Sequence, residues 1–193
     1  SFPTRRSSDL TDITVVDDRL ANVISFEQRK SINEPLYRGQ IYIDMENNAL
    51  LRVDFEVNPQ YIEQAAGMFV ERKSRNLRIT PQKVAYTVSY KQWNGTYYIN
   101  HIRGDLHFKI KKRRQLFNTN ILHTWFEMVT CKIDTANVNR FSRIESLPTR
   151  TVFSDTHFNY DEGFWGDFNV ILPEDKLNEA ISRITSKIEE TNY

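Results

Sequence analysis

The chain has 193 residues, of which 39% are hydrophobic, 12% aromatic and 26% charged. That is the balance of one globular domain, long enough to bury a core without disulfide staples. Its 26 basic residues against 25 acidic ones lack the basic excess of a nucleic-acid binder. No apolar run approaches the ~18 residues of a membrane-spanning helix. The single cysteine, Cys131, excludes an internal disulfide and a cysteine-built zinc site.

The first segment, Ser1 to Leu10, reads SFPTRRSSDL and resembles the translation of a common sequencing adapter. The expectation is that it is an adapter artefact to be left out of fold reasoning, that the natural chain continued upstream, and that residues 11–193 form a single β-rich domain truncated at its N-terminal side. Without Arg5, Arg6 and Asp9 the remainder is formally neutral.

Two strands are expected around an Asp17-Asp18-Arg19 turn, from Ile13 to Asp17 and from Asn22 to Gln28. Residues 37–57 alternate strictly. Tyr37, Gly39, Ile41 and Ile43, then Ala49, Leu51, Val53, Phe55 and Val57, are interleaved mainly with polar side chains. Period two is the signature of strands with one buried face, and pairing Ile43 with Ala49 unites the two apolar sets in a β-hairpin. Asn58-Pro59 then supplies an N-cap and a first-turn proline, and Tyr61, Ile62, Ala65, Ala66 and Phe69 fall at helical spacing. A helix over 59–72, packed across the sheet, is predicted.

A second hairpin surrounds Trp93-Asn94-Gly95. A two-residue Asn-Gly turn would set Tyr90 opposite Ile99 and Tyr86 beside Arg103. A three-residue loop with Gly95 left-handed in a bulge instead pairs Tyr90 with Tyr98 and unites the apolar faces, and this is the predicted form. A further strand is expected from Ile121 to Ile133, either covered on both sides or central, because both of its faces are partly apolar. Residues 155–173 read as an aromatic and acidic loop. Pro173-Glu174-Asp175 then opens a C-terminal helix carrying Leu177, Ile181, Ile184 and Ile188, with acidic residues suited to its first turn.

The chemistry-bearing residues form no recognised catalytic motif. His101 and His107, about 20 Å apart on one extended strand face, cannot share a metal unaided, and His123 has no evident carboxylate partner in sequence. Asp155, His157, Asp161, Glu162 and Asp167 could offer oxygen ligands to a cation, but the neighbouring Phe158, Tyr160, Phe164, Trp165 and Phe168 favour an aromatic plug for one end of the sheet. Lys109, Lys111, Lys112, Arg113 and Arg114 read as a solvated strand end that discourages edge pairing. The chain contains no nucleophile elbow, phosphate-binding glycine loop or zinc-protease helix. No catalytic residue, metal site or cofactor is expected, and the chain reads as a non-enzyme; His157 with Asp161 is the pair a hydrolase would need.

Several stretches together resemble a family of bacterial envelope proteins, the carboxypeptidase-like regulatory domain-containing proteins. They are Tyr37-Arg-Gly-Gln-Ile-Tyr-Ile-Asp44, Val88-Ser-Tyr-Lys-Gln-Trp-Asn-Gly-Thr-Tyr-Tyr-Ile-Asn100, Arg103-Gly-Asp-Leu-His-Phe-Lys109 and Phe164-Trp-Gly-Asp-Phe-Asn-Val-Ile-Leu-Pro-Glu174. The resemblance covers about residues 11–193, the C-terminal half of such a protein. It implies a periplasmic or outer-membrane-associated location, an upstream β-sandwich, and an α+β fold like that of lipoprotein carriers: a curved antiparallel sheet, or half β-barrel, with a helix across it. It carries over no catalytic residues. An apolar concave face could then hold a lipid acyl chain or a hydrophobic segment of an envelope protein. The sheet residues expected to line it are Val53, Phe55, Tyr86, Val88, Tyr98, Ile102, Leu106 and Phe108, with Met68 and Phe69 on the covering helix. The same residues would be plain core if helices seal the sheet. A scaffolding domain attached to the β-sandwich is the alternative. No nucleic-acid partner and no transmembrane helix are expected.

Overall fold

A computed structural model of the chain describes residues 8–70, 75–113, 119–136, 138–143, 146, 148 and 151. The chain divides into two compact units, Ser1–Thr130 and Cys131–Tyr193. The first unit holds seven strands: β1 (Ser8–Val16), β2 (Arg19–Phe26), β3 (Tyr37–Asp44), β4 (Leu50–Val57), β5 (Leu77–Trp93), β6 (Thr96–Lys112) and β7 (Thr119–Val129). They pair antiparallel in chain order as one curved, unclosed sheet. The α+β class and the half-barrel form of the sheet follow. Every neighbour in the sheet is also a neighbour in sequence, so the fold is an up-and-down meander.

β1 begins at Ser8, and Ser8, Asp9 and Leu10 pair with Phe26, Ser25 and Ile24. The turn to β2 is a two-residue one in which Asp17 and Asp18 both take positive φ, 47° and 62°. Both values are those of a type I′ turn, whose twist matches the flanking strands and whose left-handed positions aspartate tolerates.

The 37–57 hairpin forms, with a bulge between β3 and β4 at the turn end. Ile43 sits opposite Leu50 and Ile41 opposite Val53. The expected partner Ala49 lies one step further, its carbonyl accepting from the Asp44 N–H at 2.9 Å. The predicted helix is shorter than 59–72. A 3₁₀ turn over Ile62–Ala65 runs into one α-turn, α1 (Ala66–Phe69). The expected cap is also corrected: Tyr61, not Asn58, stands at the N-cap and no side chain caps the helix, while Asn58 closes the preceding turn, its side-chain oxygen accepting from the Gln60 N–H at 3.1 Å. The segment packs on β5, and Val57, Ile62, Ala65 and Val84 form the buried core, with Phe69, Tyr86 and Leu106 against it.

The β5–β6 hairpin corrects the predicted loop. Asn94 (φ 48°) and Gly95 (φ 82°) make a two-residue turn, and Tyr90 does face Ile99. The register shift needed to unite the apolar faces is present, but it sits between Ser89 and Tyr90, opposite Asn100. Beyond it Val88 faces Ile102 and Val84 faces Leu106. A second shift, at Gln82, follows Pro81, whose missing N–H suits a break in the ladder. The last strand is also corrected: β7 is not central but stands at an edge of the sheet formed by the described residues.

Two glycines admit close packing. A Cβ on Gly39 would collide with the Asp54 backbone carbonyl and lie 2.7 Å from Phe55 Cα. A Cβ on Gly104 would strike the Phe126 ring, 2.6 Å from its Cζ. Phe126 thus lies over a glycine on the neighbouring strand, and β4, β5 and β7 contribute rings to one continuous row.

In the second unit the described residues contain no helix or strand. The Ala136 N–H donates to Asp134 Oδ1 at 3.0 Å and the Thr151 N–H to the Pro148 carbonyl at 2.9 Å. The expected aromatic loop over 155–173, with its acidic residues and His157, and the C-terminal helix after Pro173 lie outside the described residues.

Candidate functional site

Strand alternation gives the sheet two chemically different faces. Tyr37, Ile41, Val53, Phe55, Tyr86, Val88, Ile102, Leu106, Phe126 and Met128 share one face by register. Tyr37, Phe55, Tyr86 and Phe126 make a ring-to-ring row across it, with centroids 5.4, 5.2 and 6.4 Å apart. Such offset and edge contacts stabilise beyond area burial alone. Burial pushes the Tyr86 phenol up, with the nearby Tyr37 phenol adding to it.

The expected pocket residues separate on this face. Phe108 is buried, Met68 is exposed, and Val53, Phe55, Phe69, Tyr86, Val88, Ile102 and Leu106 are half-buried. Tyr98 is half-buried elsewhere: the shift at Asn100 sets it opposite Lys91, with its ring 6.3 Å from that of Trp93. Past the row's end the apolar side chains open to solvent, Phe126 at 41% and Met128 at 60%. A depression of about 880 Å³ lies at β2–β5, with Phe55 and Tyr86 in its lining beside Arg38, Asp54 and Glu56.

The opposite face is polar and its charges answer one another within and across strands. Arg38 meets Glu56 at 2.6 Å, and Asp54 accepts from Arg52 and from the Thr87 hydroxyl at 2.8 Å. Arg103 meets Glu127 at 2.5 Å and lies over the Trp125 ring at 5.3 Å. At the β1–β2 end Arg19 donates to the buried Asp44, which also accepts from the Glu46 N–H at 2.8 Å. The Arg19 hydrogen bond holds the Asp44 carboxyl below its usual range against the opposing effect of burial.

One cluster on this face was not legible in the sequence. His107 on β6 faces His123 on β7, and their ring centroids are 4.3 Å apart. Asp105, two residues before His107 on the same strand face, brings Oδ1 within 2.9 Å of the Nε2 of both rings. Burial pushes the Asp105 carboxyl up, but the His123 hydrogen bond and the nearby His123, His107 and Lys83 outweigh it and hold it below its usual value. The i, i+2 spacing of Asp105 and His107 was visible. The partner was not, because no hairpin signal in the sequence sets the β6–β7 register. His101 stays apart from this cluster, 3.8 Å from Glu127. The basic run is solvated as expected where it is described: Lys109, Lys111, Lys112 and Arg113 are exposed.

No known protein family, curated protein or solved structure matches the chain. No described helix is long and apolar enough to cross a membrane.

Proposed function

We propose that the chain is a non-enzymatic binding module whose apolar sheet face takes the acyl chain of a lipid. The observation that carries the reading is the aromatic row from Tyr37 to Phe126, with the exposed Met128 on the same face beside its β7 end. An exposed apolar surface of this continuity costs free energy in water unless something covers it. Lying across five strands at about 4.8 Å each, the row offers roughly 19 Å of apolar length. The resemblance to envelope proteins supports placing this binding at the cell envelope, periplasmic or outer-membrane-associated. Displacement of a fluorescent fatty acid tests it. Saturable binding, weakened at least about tenfold by Phe126→Asp at the exposed edge, is the expected result, since losing ~1.4 kcal/mol of apolar contact is tenfold in affinity. No saturable binding by the unaltered chain would overturn it.

A further inference from the structure

We infer that Asp105, His107 and His123 form a binding site for a divalent first-row transition-metal ion of the Zn²⁺ class. The site lies on the sheet face opposite the aromatic row, and its existence does not depend on the lipid reading.

The argument begins with convergence. His107 and His123 come from different strands, yet both present Nε2, the far ring nitrogen, to the same carboxylate oxygen at 2.9 Å. One ligand atom from each of the three residues lies within 4.8 Å of the others. Ligands held about 2.0–2.2 Å from an ion lie roughly 3.0–3.5 Å from one another at adjacent corners of an octahedron or tetrahedron. The spacing is therefore near that of a ligand set, and small rotations about the side-chain bonds would open it around an ion.

The donor types select the ion. Two imidazoles and one carboxylate suit zinc, nickel, copper or cobalt, whereas calcium and magnesium need a cage of oxygens. Lys83, in register opposite His107, adds a positive charge that further disfavours an ion held by charge alone. The backbone pairing is regular through the site. Both ligating strands are continuous through the site, with unbroken pairing from His101–Val129 to Lys111–Thr119. The side chains stay open to solvent, at 29% for Asp105, 35% for His107 and 48% for His123. An ion can therefore enter directly and keep water in its remaining positions.

The test titrates Zn²⁺ into the full 193-residue chain without a histidine tag, followed by calorimetry, and Co²⁺ followed by its visible absorption. One saturable equivalent is expected. Loss of even an outer-shell partner typically weakens a metal site 10–100-fold, so His107→Gln and His123→Gln should each weaken binding at least about tenfold. His101→Gln and Cys131→Ser should leave it unchanged. If a variant fails to fold, the unaltered chain still decides. Zinc should shift the imidazole nitrogen resonances of His107 and His123 and leave those of His101 in place. No saturable binding, binding that survives the His107→Gln/His123→Gln double change in a folded protein, or shifts confined to other histidines would overturn the assignment.

Discussion

Asp44 shows how one residue ties β3 to the start of β2. It is buried at the end of β3 opposite Ala21, and Arg19 at the start of β2 reaches back to it. A buried carboxylate without such a partner would carry a large desolvation cost. Because its folded pKa lies below the ordinary carboxylate value, the stability it contributes is fully present above the unfolded pKa of about 3.9. That stability is lost as pH falls from there through the depressed folded value. Urea midpoints measured from pH 7 down to pH 2 should fall in the acid range. Asp44→Asn should lower the midpoint at pH 7 and make the decline below about pH 4 shallower. An unchanged acid slope in Asp44→Asn would remove Asp44 from this role. The histidines behave differently as residues. His101, His107 and His123 all stand on one polar face, but only the last two meet, because meeting depends on the neighbouring strand rather than on spacing within one.

At the scale of elements, hairpins were legible where local chemistry and face pattern agreed. Alternation over 37–57 identified β3 and β4. One extra residue at the turn (Ile43 opposite Leu50 instead of Ala49) and the one-residue bulge at Leu51 together moved the expected pairing by two, which preserves the face. In the β5–β6 hairpin the two signals conflicted. Asn94-Gly95 called for a tight turn, whereas Val88 and Ile102 called for a shift of one residue. Both demands are met, the turn at its tip and the shift at Asn100. The reason is that a bulge costs one ladder pairing and can sit anywhere along a 17-residue strand, while a type I′ turn must sit at its two left-handed residues. Gly95→Ala places a Cβ at φ 82° and should destabilise the protein by about 1–2 kcal/mol. A thermal or urea melt reads this directly, and an unchanged midpoint would mean that the turn relaxes to another type. The helix was legible as to place and packing face but not start or length, since it begins only at Ile62. Asn58 and the buried Ile62 and Ala65 were readable. Only a little over two turns form, the first of them 3₁₀.

For the whole first unit, the meander places its core off-centre. Val57 and Val84 are fully buried between the sheet and the short helical segment, whereas the β7 edge exposes Ile121, Leu122 and Met128. Local opening free energy follows buried contacts and paired backbone. Amide exchange should therefore be slowest in the paired stretches of β4 and β5 and fastest in β1 and β7. Equal protection across all seven strands would show that the edges are as well covered as the centre. The composition, the alternating strands, the Asn58 turn and the antiparallel class were all determined by local sequence. Each rests on side-chain periodicity or backbone preference within a few residues. Only the tertiary structure decided that β7 is an edge, that Tyr98 leaves the apolar series, and that His123 meets His107 and Asp105. These depend on register between strands, which is set in part by where single-residue bulges fall, and a bulge leaves no local mark.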